Sequence, residues 1–139
     1  MPTIFPIIRF NDSAAGLAWL KDVLGFEEHG VFRGEDGSIQ HGELRHGDAW
    51  VMIGSEPVGG DTQPTSSAGT GDRFGAHAGT GFYYLAVDDA AAAFERAHAA
   101  GANVTSKLES REYGGREFSL RDPEGNLWSV GEYDPSRAP

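Results

Sequence analysis

The sequence predicts an α+β protein built from two βαβββ repeats in a single domain spanning residues 1–139. Three observations carry this prediction. Two helical segments share one grammar, with side-chain caps at the start and a glycine at the end. Phe10-Asn11-Asp12 before the first matches Val87-Asp88-Asp89 before the second at an offset of 77, and Gly25 matches Gly101 at an offset of 76. Each helix follows a strand and precedes a short strand and a hairpin. A period of this length is too long for a solenoid unit and points to one duplication.

The elements follow in order. Residues 3–10 form the first strand. Asn11 or Asp12 caps a helix over residues 13–24, where Leu17, Leu20, Val23 and Leu24 recur at helical spacing. Gly25 stops it, and a short strand covers residues 26–33. Strands 38–45 and 49–53 meet at His46-Gly47-Asp48, a hairpin signal, which closes repeat one at residues 1–55. Residues 54–81 are rich in Gly, Ser, Thr and Pro and read as a flexible connecting loop, either a flap or a bare linker. Repeat two covers residues 82–133. Its first strand is 82–87, and Asp88 or Asp89 caps a helix over 90–100 that turns Phe94 and Ala97 inward before Gly101. A short strand at 102–108 leads to strands 116–121 and 127–133, joined by Asp122-Pro123-Glu124-Gly125-Asn126.

Charge narrows the partners. Eleven Lys and Arg against 21 Asp and Glu give a net charge of −10, which argues against nucleic acid as a partner. The acidic balance suits either a cationic ligand or plain solubility. There are no cysteines, so disulfides, thiolate metal sites and cysteine nucleophiles are excluded. No apolar run is long enough for a membrane helix, and MPTIFPIIRF lacks signal-peptide features, so a cytoplasmic protein with no membrane partner is expected. Gly69-Thr70-Gly71 has no following Lys-Ser or Lys-Thr and is not a phosphate loop.

Three motifs carry a resemblance. Arg9-Phe10-Asn11-Asp12 enters the first helix and Val23-Leu24-Gly25-Phe26 leaves it. Asp122-Pro123-Glu124-Gly125-Asn126 is followed by Leu127-Trp128 and is the most specific of the three. In this order and spacing they resemble the vicinal oxygen chelate superfamily, which holds glyoxalases, bleomycin-resistance proteins and extradiol dioxygenases. The resemblance implies that each repeat curls its sheet around a shared cleft, with helices on the far side. It also implies a homodimer whose cavities use both chains. Strand alternation then sorts the faces. Ile4, Ile8, Phe10, Gly42, Leu44, Val51 and Ile53 turn to the first helix, and Leu85, Val87, Phe118, Leu120, Trp128 and Val130 to the second. The expected ligand-binding cleft is Phe5, Arg9, His41, Glu43, Trp50, Met52, Phe82, Tyr84, Glu117, Ser119, Arg121 and Ser129.

Metal-dependent members carry His, Gln or Glu at four strand positions. The resemblance puts Phe5, Met52, Phe82 and Ser129 there, a set without the donors a divalent ion needs. No metal, no cofactor and no catalytic residue are therefore expected, as in the bleomycin-resistance branch. The aromatic set suits non-covalent binding of an aromatic or cationic small molecule, in the style of drug sequestration. The alternative is a metal-dependent lyase, isomerase or dioxygenase with other ligands, such as His41, Glu43 or His77. A third reading is a vestigial cleft on a scaffold for protein association. His41 and Glu43, with Glu117 opposite, read either as an acid/base or metal-binding group or as a satisfied hydrogen-bonded pair. Arg9 either holds an anionic group or pairs with a carboxylate. Tyr113 either caps the cavity mouth or belongs to an ordinary turn. His29, His46 and His98 read as solvated residues.

Overall fold

The computed structural model describes residues 3–55, 79–112 and 114–137. The first repeat holds β1 (Ile7–Phe10), α1 (Ser13–Asp22), β2 (Glu27–Arg33), β3 (Ile39–His46) and β4 (Ala49–Ser55). The second holds β5 (Phe82–Ala86), α2 (Ala90–Ala99), β6 (Asn103–Ser110), β7 (Arg116–Arg121) and β8 (Leu127–Gly131). The repeats form two four-stranded sheets of matching order, β1-β4-β3-β2 and β5-β8-β7-β6. In each, the first strand runs parallel to the last and the other pairs are antiparallel. Ile7 pairs with Met52 and Tyr84 with Ser129, so both members of the pair move by the same 77 positions. The duplication predicted from motif spacing is thus kept in the strand register. Residues 56–78 of the expected 54–81 loop, and Tyr113, lie outside the described residues.

Local signals explain the helix limits. Asp12 accepts from Ala15 N at 3.1 Å and Asp89 from Ala92 N at 3.1 Å, so the second of each pair of cap candidates is the one used. Gly25 and Gly101 adopt φ of 83° and 76°, a region that penalises a side chain. After α2 this lets Gly101 N donate to His98 O and Ala102 N to Ala97 O, closing the helix end.

Two expectations are corrected. β1 begins at Ile7 rather than residue 3, because Pro6 has no N–H to enter the ladder and offers only its carbonyl, to Met52 N at 2.9 Å. Ile4, expected against the helix, lies ahead of the strand and is 85% exposed. β2 and β6 run seven and eight residues, close to the spans 26–33 and 102–108 expected of them.

One core cluster joins the helix-side faces of both repeats. Ile8, Phe10, Leu44, Ile53, Phe118, Leu120 and Val130 are fully buried, as alternation predicts for that face. Trp128 is the hub. Its ring centroid lies 4.8 Å from Tyr83, 5.9 Å from Trp19 on α1 and 6.2 Å from Phe26. Two polar clamps tie the repeats together at the edge of this core. Glu124 accepts from Asn11 N and Asn11 Nδ2, both at 2.6 Å. Arg96 donates to Asp22 O at 3.1 Å and Lys21 O at 3.0 Å, capping the carbonyl end of α1.

The second repeat has its own clamp. Glu132 accepts from Arg116 Nη2 at 2.6 Å, from Arg116 N at 3.0 Å and from Ala90 N at 3.0 Å. The Arg116 side chain, then the Ala90 and Arg116 amides, hold its carboxyl down from the ordinary 4.5 to about 2. A carboxyl with a depressed folded pKa adds stability above its unfolded value and loses it as pH falls through the folded one. Glu132 therefore stabilises the fold above about pH 4.5 and loses that contribution on the way down to about pH 2. Urea midpoints measured across this range should fall less steeply in Glu132→Gln than in the parent. Parallel curves would remove Glu132 from the acid response.

Candidate functional site

Burying the helix-side faces leaves the other face of each sheet outside the core. On the first sheet that face is set by the β3–β4 register, in which Glu43 pairs with Met52 and Arg45 with Trp50. Cross-strand partners share a face, so these four side chains stand together. They line an open cleft of about 890 Å³ with Phe5, His29, Gly47 and Asp48. The walls are aromatic and thioether, and the polar groups sit at the side and the hairpin end. Trp50 is the centre of the apolar wall, with the His29 ring edge-on at 4.9 Å.

His41 is half-buried one step along β3, with Nε2 3.1 Å from Glu43 Oε2 and its ring 5.7 Å from Phe32. A carboxylate only accepts, so the imidazole proton in this pair sits on Nε2. Arg9 is in the same row, on the far side of Gly54, which pairs with both Arg9 and His41.

The second-repeat candidates stand on the open face of the second sheet and do not line this cleft. Tyr84 donates its hydroxyl to Tyr133 O at 2.7 Å, passing over Gly131, where a Cβ would sit 2.8 Å from that hydroxyl. Ser119 and Ser129 share a hydrogen bond at 3.1 Å. Glu117 is buried, with Arg111 Nη2 at 3.8 Å. Phe82 is 70% exposed. Arg121 is drawn out to the turn, where its guanidinium donates to Gly125 O at 2.7 Å. The one shared cleft implied by the resemblance is thus divided within a chain, because the core between the repeats joins their helix sides.

Sequence reasoning missed His29, Arg45 and Asp48. Arg45 was legible, since it is two residues beyond Glu43 on one strand. His29 was not. Glu28 pairs with Leu44 and Gly30 with Glu43, so His29 is the extra residue of a β-bulge, and a bulge breaks alternation. His46, also read as solvated, is half-buried with its ring 5.4 Å from Phe26, whereas His98 is exposed as expected, its ring 6.3 Å from Phe94.

The Asp122 turn is structural. Asp122 is buried and accepts from Asn126 N at 3.0 Å, Asn126 Nδ2 at 2.9 Å, Glu124 N at 3.0 Å and Trp128 Nε1 at 3.1 Å. It fixes both the turn and the central tryptophan of the core.

The family model for the Glyoxalase/Bleomycin resistance protein/Dioxygenase superfamily matches residues 4–130. The chain belongs to this superfamily. The Uncharacterized protein Mb0911c of Mycobacterium bovis is 31% identical over 135 residues, covering 94% of this chain and 83% of that protein. Among solved structures, TioX from Micromonospora sp. ML1 superposes with a TM-score of 0.76 at 26% identity, over 96% of this chain and all (100%) of that one. TnmS3 from Streptomyces sp. CB03234, described as an antibiotic binding protein, shares the fold with a TM-score of 0.63 at 17% identity, over 94% of this chain and 95% of that one.

Membership in a superfamily with metal-dependent members calls for a test of the donor set. The four positions the resemblance assigns to a metal are Phe5, Met52, Phe82 and Ser129, and the Ser129 hydroxyl is already bonded to Ser119. Two rings, a thioether and a hydroxyl do not fit a divalent ion. Among the described residues no group of three His, Asp or Glu side chains is placed to hold a metal. His77 lies outside the described residues. Among the described residues, too, no helix is long and apolar enough to cross a membrane.

Proposed function

We propose that this protein binds an aromatic or cationic small molecule, without altering it, in a metal-free cleft on the first repeat. The observation that carries the reading is the Trp50 wall of the cleft, with Phe5, Met52 and His29 around it and Glu43 at its side. A site that is mostly apolar with a few placed charges suits a flat ligand, and aromatic faces attract cations. TnmS3 offers a precedent for antibiotic binding on this fold. Drug sequestration in the cytoplasm is the corresponding role, and the acidic, cysteine-free composition agrees with it.

The binding unit is a homodimer. Phe5, Ile7, Phe32, Phe82 and Tyr84 are 40–70% exposed in a single chain and stand on or beside the open faces. A second copy laid on these faces buries them and restores a cleft walled by both repeats. Sedimentation equilibrium at micromolar concentration should give twice the chain mass; a monomer would remove this part of the reading.

The test of function is a thermal-shift screen of planar aromatic cations with the intact protein and Trp50→Ala. Ligands that raise the melting temperature of the first and leave the second unmoved support the cleft, since a ligand bound only to the native state stabilises it. A flat response across the screen favours a scaffold for protein association. A stoichiometric divalent ion in the purified protein, lost in His41→Ala, would replace binding with metal-dependent catalysis.

A further inference from the structure

The geometry points to Glu43 as the group that selects a positive charge in the cleft, with His41 setting how much negative charge Glu43 presents. This rests on the binding function proposed for the Trp50 cleft and names the class of ligand and its dependence on pH. Glu43 has two oxygens in different surroundings. Oε2 lies 3.1 Å from His41 Nε2. Oε1 faces Gly30 across the β2–β3 pair, where even a Cβ would come within 3.5 Å of it. Met52 stands opposite Glu43 on β4, and Trp50, opposite Arg45, is next on the same face. Glu43 and Trp50 line the same cleft, so a flat cation resting on Trp50 brings its charge toward the Glu43 carboxylate.

The pair is an adjustable counter-ion. With His41 neutral, the two groups together carry one negative charge, and a cation is attracted. With His41 protonated, the imidazolium and carboxylate cancel, and the same cation meets a neutral pair. Imidazole is the side chain whose charge ordinarily changes between about pH 5 and 8. The hydrogen bond survives in both states, so the change is in charge rather than in structure.

The other charged groups around the cleft fix the controls. On β3, Arg45 Nε is 3.7 Å from Glu27 Oε1 of β2, which offsets its charge outside the cleft. From the β3–β4 hairpin Asp48 adds a carboxylate. From β1, Arg9 lies beyond Gly54 in the His41 row. From β2, His29 brings a second imidazole to the cleft, its ring 4.9 Å from Trp50. The Glu43 contact assigns the larger effect to His41.

The experiment compares 10-methylacridinium, whose positive charge does not depend on pH, with 10-methylacridone, a neutral molecule of similar shape. Dissociation constants come from tryptophan quenching at about pH 5.5 and about pH 8. The intact protein should bind the cation roughly three- to tenfold more weakly at the lower pH, the scale of one charge lost at a partly exposed site. The neutral molecule should bind equally at both. His41→Gln should remove the pH effect, and His29→Gln should leave a pH effect in place. Glu43→Gln should erase the preference for the cation at both values. Acridone binding shows in each variant that the cleft is intact. A cation affinity that ignores pH in the intact protein, or a pH effect that survives His41→Gln, overturns the proposal and leaves the binding function standing. Failure of both molecules to bind overturns the binding function, and this proposal with it.

Discussion

Replacing Trp128 with alanine is expected to cost about 3–5 kcal/mol of stability, the range for deleting a large ring from a closed core. The ring is 2% exposed and touches Trp19 and Phe26 of the first repeat and Tyr83 of the second. Its removal opens a void where the two halves meet and leaves Asp122 without one of its donors. Chemical denaturation of Trp128→Ala and the parent gives the difference directly. A loss below about 1 kcal/mol would mean that the repeats are not held through this ring.

Asp122→Ala is expected to be of similar size, about 3–5 kcal/mol, for a different reason. Four hydrogen-bond donors converge on a buried carboxylate: the Glu124 and Asn126 amides, the Asn126 side chain and the Trp128 indole. Alanine strands them, and a buried donor without a partner costs its full desolvation. Asp122→Asn keeps one acceptor but turns a second donor toward the group, so it should fall between the two. Because Asp122 and Trp128 share a bond, the double variant should lose less than the sum of the single ones. A melting temperature within about 3 °C of the parent for Asp122→Ala would refute the account of the turn.

The fold was legible because its signals are local and repeated. Asp12 and Asp89 cap, Gly25 and Gly101 stop, and the spacing between them carries straight through to the pairing of Ile7 with Met52 and Tyr84 with Ser129. Alternation along β3 and β4 then placed Glu43, Trp50 and Met52 on one face without any knowledge of tertiary contacts. Two kinds of information were beyond reach. A bulge leaves no mark in the pattern of side chains, so the place of the exposed His29 beside Trp50 was not legible. The relation of one sheet to the other depends on long-range packing through Trp128, which alternation within a strand does not encode. That is why Tyr84, Glu117 and Ser119 were grouped with Trp50 although they stand on another face.

The most direct measurement is a calorimetric titration of 10-methylacridinium into protein dialysed against a strong chelator. Saturable heat with the chelator present, unchanged when zinc, nickel, iron or manganese is restored and absent in Trp50→Ala, is the predicted result. Heat that appears only after a divalent ion is added back, or that persists without Trp50, would contradict a metal-free aromatic cleft.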